Sequence, residues 1–208
     1  MERLVPDPRR PGTTRVVVGG SPAWTVPTAL VEELGLHPGA VLRGAALARL
    51  ESAADAEGAL RSGFRHLERR GHSRHELSLK LARKGHPEAA IAVAVARLAE
   101  LGLLDDAAFA RAYVASRAGR GRSPARIRRE LHALGVSPED AVAAVATLES
   151  DHAAPDPLAK TLTQARRRAA AMAALPIQTR KRRLLAFFAR RGWGGGEARE
   201  HVEALLGE

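Results

Sequence analysis

Few residues in this chain have the type and spacing to do chemistry. Four histidines, His66, His72, His75 and His86, fall within one stretch and have the composition of a metal site. Zinc sites need a closed set of ligands at fixed spacing. Here His72 and His75 straddle Ser73, no carboxylate pair stands at a ligating i,i+4 spacing, and the four read as surface histidines. Asp105-Asp106 has the form of a paired general acid and base. It follows Gly102-Leu103-Leu104 and precedes Phe109, where a helix start uses a cap and negative charge, so it reads as structural. Gly119-Arg120-Gly121-Arg122-Ser123 is glycine-rich and basic but lacks the Gly-x4-Gly-Lys-Ser/Thr order that cradles phosphates, and reads as an interhelical loop. Gly192-Trp193-Gly194-Gly195-Gly196 has no strand before it, which rejects a dinucleotide fingerprint. With no cysteine there is no disulfide, thiolate nucleophile, zinc finger or iron–sulfur cluster, and no Ser/His/Asp order with a strained elbow occurs. Neither an enzyme nor a resident metal or cofactor is expected.

The remaining chemistry is charge. The 208 residues carry 33 Lys+Arg against 23 Asp+Glu, a formal net charge of +10. All of that excess can be assigned to one place, because residues 157–196 contain no acid. This span holds Lys160, Arg166, Arg167, Arg168, Arg180, Lys181, Arg182, Arg183, Arg190 and Arg191. A solvated helix face mixes both signs, commonly at i,i+4, so a one-signed face points to a polyanion or an acidic partner. Lys80, Arg83 and Lys84, with Arg126, Arg128 and Arg129, join the cations after position 160, Lys160 itself excepted, as the candidate binding set.

These cations need helices to present them. Hydrophobic residues make up 45% of the chain, enough for a core, yet 42 are Ala and 26 Leu while only seven are aromatic and three Ile. Disorder throughout and an all-β fold are both excluded. No apolar run reaches the ~18–20 residues of a membrane span, and the start of the chain is charged and proline-rich where a signal peptide would be apolar, so a cytoplasmic location is expected.

Residues 1–14 are expected to be a flexible tail, and 15–52 a small β-containing element. In that element Arg15–Val18 and Ala23–Val26 flank Gly19-Gly20, and a helix runs from Pro27 to Leu34. Every strongly periodic segment after Ala53 is helical, nine in all. Ser73, three before Glu76, has capping-box spacing; Ser123-Pro124 and Ser137-Pro138 place a hydroxyl before a proline at the first helical position. Gly71, Gly85, Gly102, Gly119, Gly135 and Gly192 can end helices in the left-handed conformation.

One spacing recurs three times: Leu77-x3-Leu81-x3-Gly85, Ile127-x3-Leu131-x3-Gly135 and Leu184-x3-Phe188-x3-Gly192. It marks the middle helix of three-helix repeats over 53–104, 105–151 and 152–208. Such groups are too small to bury their apolar faces alone and are expected to stack into an elongated curved rod. The predicted fold is mainly all-α, three tandem three-helix repeats after a small β-containing amino-terminal element.

The run Ser73-x2-Glu76-Leu77-x2-Lys80-Leu81-x2-Lys84-Gly85 resembles the signature of the bacterial RecX family. So do Leu101-Gly102-Leu103-Leu104-Asp105-Asp106-x2-Phe109-Ala110-x2-Tyr113-Val114-x2-Arg117 and Ile127-x2-Glu130-Leu131-x3-Gly135. The third repeat resembles the family's basic helix through Lys181, Arg183, Leu184, Phe188, Arg191 and Gly192, with Trp193 where Phe is usual. The resemblance implies a non-enzymatic regulator, an inhibitor, of the RecA recombinase in DNA repair and the SOS response. It would lie in the groove of the RecA–DNA filament as a monomer, bridge RecA protomers, and lower ATP hydrolysis, strand exchange and coprotease activity. Its partners would be the filament and single- or double-stranded DNA, met directly or through the filament, and not a membrane. A nucleic-acid-binding helical repeat protein acting directly on DNA is the alternative reading, and a scaffold without DNA is a third.

Overall fold

The computed structural model describes residues 1–150 and 156–207. It divides into two compact units, 1–105 and 106–208.

In the first unit, strands β1 (Arg3–Pro6), β2 (Thr13–Val18) and β3 (Ser21–Pro27) form an antiparallel sheet in that order. Gly19 and Gly20, at φ 59° and 75°, supply the two left-handed residues that a tight hairpin needs. Residues 1–14 are therefore not a tail. Leu4 pairs with Val16 and Pro6 with Thr14; Pro6 is the one proline in the strand and ends it, on the edge where a missing N–H costs nothing, while Pro8 and Pro11 follow it. Val16 and Val26 pack with Val31 of α1 (Thr28–Glu33) and Leu50 of α2 (Gly44–Leu67).

Helix α2 also corrects a boundary. Its 24 residues cross position 53 without a break, joining the β element to the first repeat. The alanine-rich sequence sustains it, and Gly63 lies at a close approach: a Cβ there would lie 2.6 Å from Leu98 Cδ1 of α4 (Glu88–Glu100). Helix α3 (Arg74–Ala82) completes this repeat, with Leu77, Leu81, Ile91, Leu98 and Leu104 as its core. Ser73 caps α3 by accepting the Glu76 N–H at 3.0 Å.

The second unit holds α5 (Asp106–Ala118), α6 (Pro124–Ala133) and α7 (Pro138–Ser150), then α8 (Pro157–Ala171), α9 (Ile177–Ala189) and α10 (Gly195–Leu206). The expected boundary at 151–152 lies outside the described residues. Ile127 and Leu131 anchor one core with Val114 and Val145; Leu184 and Phe188 anchor another with Phe187 and Val202. Each repeat thus has an apolar cluster of its own within the folded chain. Alanines such as Ala110, Ala118, Ala165 and Ala169 let the helices close tightly enough for a small core to suffice.

Candidate polyanion interface

The join between the second and third repeats is polar. Ser123 caps α6 by accepting the Arg126 N–H at 3.3 Å, and its hydroxyl donates to the Gly192 carbonyl at 2.9 Å. The Ser123 N–H donates to the Arg191 carbonyl at 2.9 Å. One residue pair away, the Gly121 carbonyl accepts from Thr161 Oγ1 at 2.7 Å and from Trp193 Nε1 at 3.1 Å. Gly121 and Gly192 have φ of 81° and 87°, and a Cβ at Gly192 would overlap Ser123 Oγ and Arg126 Cβ. Gly119 and Gly71, expected to take the left-handed conformation, are not among the positive-φ glycines; Gly121 performs that turn instead.

This join orders arginines around Glu130. Arg126 and Arg122 donate to Glu130 Oε1 at 2.9 and 3.0 Å, the Tyr113 hydroxyl donates to Oε2 at 3.0 Å, and Arg117 Nε lies 3.8 Å from Oε2. Burial pushes the carboxyl up, but hydrogen bonds from Arg126 and Tyr113 and the Arg122 and Arg126 charges outweigh it and hold its pKa below the ordinary value. On the facing wall Arg191 lies over the Phe187 ring at 3.9 Å and donates to Gln164, while Arg168 lies 4.6 Å from the same ring. Burial, then the neighbouring charges of Arg168, Arg122 and Arg190, reduces the basicity of Arg191. A cavity of about 450 Å³ results, lined by Arg117, Arg120, Arg122, Arg126, Arg190 and Arg191.

Three of those six, Arg126, Arg190 and Arg191, belong to the candidate set read from sequence. Arg117, Arg120 and Arg122 were missed, two of them because the 119–123 segment lacks a phosphate-loop motif. The available signal was an Arg-Gly-Arg run beside a capping serine. Of the remaining candidates, Arg128 and Arg129 are exposed on α6, Arg166 and Arg167 on α8, and Arg182 and Arg183 on α9. Arg168, though exposed, is engaged with Phe187. Lys181 is bound to Glu203 at 2.9 Å, and Arg180 is half-buried with its Nε enclosed. The acid-free span therefore meets acid from α10.

Lys80, Arg83 and Lys84 belong to the first unit, where the capping repeat recurs with charges exchanged. Glu76 stands at the position of Arg126, and Lys80 at that of Glu130. Glu76 accepts from Arg70 Nη1 at 3.0 Å, faces His72 Nδ1 at 2.8 Å, and lies 3.9 Å from Lys80. Arg83 and Lys84 are exposed. His72 is buried at 4%, which corrects its reading as a surface residue: the Glu76 carboxylate gives its ring a partner inside the repeat. No helix among the described residues is long and apolar enough to cross a membrane.

Family models match the first two repeats: the RecX second three-helix domain over residues 105–145, and the RecX first three-helix domain over 59–98. The regulatory protein RecX of Thermobifida fusca (strain YX) is 39% identical over 146 residues, covering 68% of this chain and 77% of that protein. That of Halorhodospira halophila (strain DSM 244 / SL1) is 44% identical over 87 residues; the match spans 42% of this chain and 54% of the relative, about half its length. A crystal structure of regulatory protein RecX superposes with a TM-score of 0.68 at 19% identity, covering 98% of each chain. RecX from Lactobacillus salivarius gives 0.54 at 17% identity, covering 74% of this chain and 97% of that one. At those identities the two structures bear on the fold.

Proposed function

The chain belongs to the RecX family, and from that premise we propose that it is a regulator of the RecA recombinase that has no chemistry of its own. It acts in the cytoplasm by lying in the groove of the RecA–DNA filament and bridging RecA protomers. By preferring one filament state it lowers ATP hydrolysis, strand exchange and coprotease activity in DNA repair and the SOS response. A regulator of this kind can shift the filament only by its difference in affinity for the two states.

One observation carries the proposal: Arg166 and Arg167 on α8 and Arg182 and Arg183 on α9 stay exposed, while Lys181 and Arg191 of the same span are engaged inside the repeat. Exposed arginines with no carboxylate partner among the described residues suit a surface that meets phosphates and acidic protein together. Arg128, Arg129, Arg83 and Lys84 extend the set.

Co-sedimentation with preformed RecA–DNA filaments tests the contact. The variant Arg182→Glu/Arg183→Glu avoids Lys181, whose reversal would set a carboxylate against Glu203. It is expected to keep its helicity and melting temperature, because exposed charges contribute little to folding, and to bind filaments more weakly. Unchanged binding by the folded variant places the contact elsewhere. Binding that survives without RecA and collapses steeply with salt favours direct action on DNA.

A further inference from the structure

We propose that the arginine-lined cavity between the second and third repeats is a binding site for an oligophosphate, the compact polyanion found in a nucleoside triphosphate tail or in inorganic polyphosphate. The inference stands apart from the recombinase reading, since it concerns a ligand of the protein alone.

The cavity contains two kinds of arginine. Arg117, Arg122 and Arg126 are fixed by Glu130, and Arg191 by Gln164 and the Phe187 ring. Arg120 and Arg190 are exposed, and among the described residues no side-chain partner holds either guanidinium. Four preset arginines meet most of the ordering cost of the site before a ligand arrives, which leaves only Arg120 and Arg190 to be ordered on binding.

Charge density selects the ligand. Six guanidinium charges face the single Glu130 carboxylate, and the mutual repulsion is already felt by Arg191. A nucleic-acid strand spreads its charge at about one per 3.4 Å of helix axis, so a strand crossing this mouth offsets little of that excess. An oligophosphate delivers its whole charge to one spot. Its tetrahedral groups offer acceptors in several directions, matching planar guanidiniums that converge from α5, the 119–123 loop, α6 and the end of α9. A volume of about 450 Å³ lies within the range of small-ligand pockets, roughly 300–1,000 Å³. Bound there, the ligand ties Arg120 of one repeat to Arg190 of the next and stiffens the join.

The test is calorimetric titration of the full chain with tripolyphosphate, ATP, orthophosphate and a short oligothymidylate, with melting temperature recorded alongside. Tripolyphosphate is expected to bind and raise the melting temperature, with orthophosphate weaker by about tenfold or more. Arg120→Glu/Arg190→Glu should lose tripolyphosphate by at least about tenfold; circular dichroism verifies its fold, and the milder Arg120→Ala should lose less. Arg111→Glu/Arg199→Glu, which changes the same charge on exposed positions of the same unit, should bind as the parent does. ATP binding matching tripolyphosphate assigns a nucleotide source, and tripolyphosphate binding without ATP assigns inorganic polyphosphate; both support the site. Three results overturn it: no saturable tripolyphosphate binding, equal losses in the two double variants, or a dependence on Arg120 and Arg190 confined to oligothymidylate.

Discussion

The indole N–H of Trp193 donates to the carbonyl of Gly121 at 3.1 Å, across 72 positions of sequence. Phe, usual at this place in the family signature, has no such donor. Thr161 Oγ1 reaches the same buried carbonyl at 2.7 Å. Trp193→Phe and Thr161→Val are each expected to cost about 0.5–1.5 kcal/mol. Together they leave the carbonyl unpaired, so the double variant should lose more than the sum. Urea denaturation of the four proteins measures this, and additive losses would count against a shared acceptor.

Gly192→Ala should be costly for two independent reasons, its φ of 87° and the overlap with Ser123 Oγ and Arg126 Cβ. A loss of about 1–3 kcal/mol is expected from the backbone alone. Gly194→Ala, where a Cβ meets open space, should stay within about 0.5 kcal/mol of the parent. Thermal melts compare the two directly.

Periodicity made the repeats legible, because Leu77, Ile127 and Leu184 each begin a buried i, i+4 pair. Strand β1 was hidden by Pro6 at its end and Pro8 and Pro11 after it, and the start of α2 by Arg43 and Gly44, which offer no side-chain cap. The arginine cavity is a different case. Its walls come from 117–126 and 190–191, and only the folded join between Ser123 and Gly192 brings those segments together. Counting charge along the chain found the excess after residue 157 but could not reveal that Arg191 is used against Phe187 or Lys181 against Glu203.

Glu130 both orders the cavity and dilutes its charge. Glu130→Gln should destabilise the fold by about 1 kcal/mol, the modest end for a hydrogen-bonded charge because the cluster is half-buried. The same variant should bind tripolyphosphate more tightly and with a steeper salt dependence. Weaker binding at every salt concentration would show that ordering of Arg117, Arg122 and Arg126 outweighs the charge removed.

Acid should destabilise the protein in two stages of the same sign. Burial, then the Lys84 charge, holds His66 and His86 below the ordinary 6.5, and His66 Nε2 is enclosed with no hydrogen-bond partner among the described residues. Unfolded histidines protonate first, so this contribution is complete above about pH 6.5 and is lost as pH falls through the lower folded values. Glu76 and Glu130 lie below 4.5 in the fold, despite burial, through their arginine, histidine and tyrosine partners. Their contribution is present above about pH 4.5 and is lost as pH falls through the folded values. Melting temperature against pH checks both stages, and His86→Gln should shrink the first. A melting temperature that rises on acidification just below pH 6.5 contradicts the assignment.

A regulator of the proposed kind changes the work of RecA without doing chemistry itself. ATP hydrolysis is therefore followed in two vessels, one holding the protein with ATP and DNA, the other holding it with preformed RecA–DNA filaments. No turnover is expected in the first and, in the second, a rate that falls as protein is added, with Arg182→Glu/Arg183→Glu needing a higher concentration for the same effect. Steady hydrolysis without RecA, or a filament rate that the protein leaves unaltered, would contradict that role.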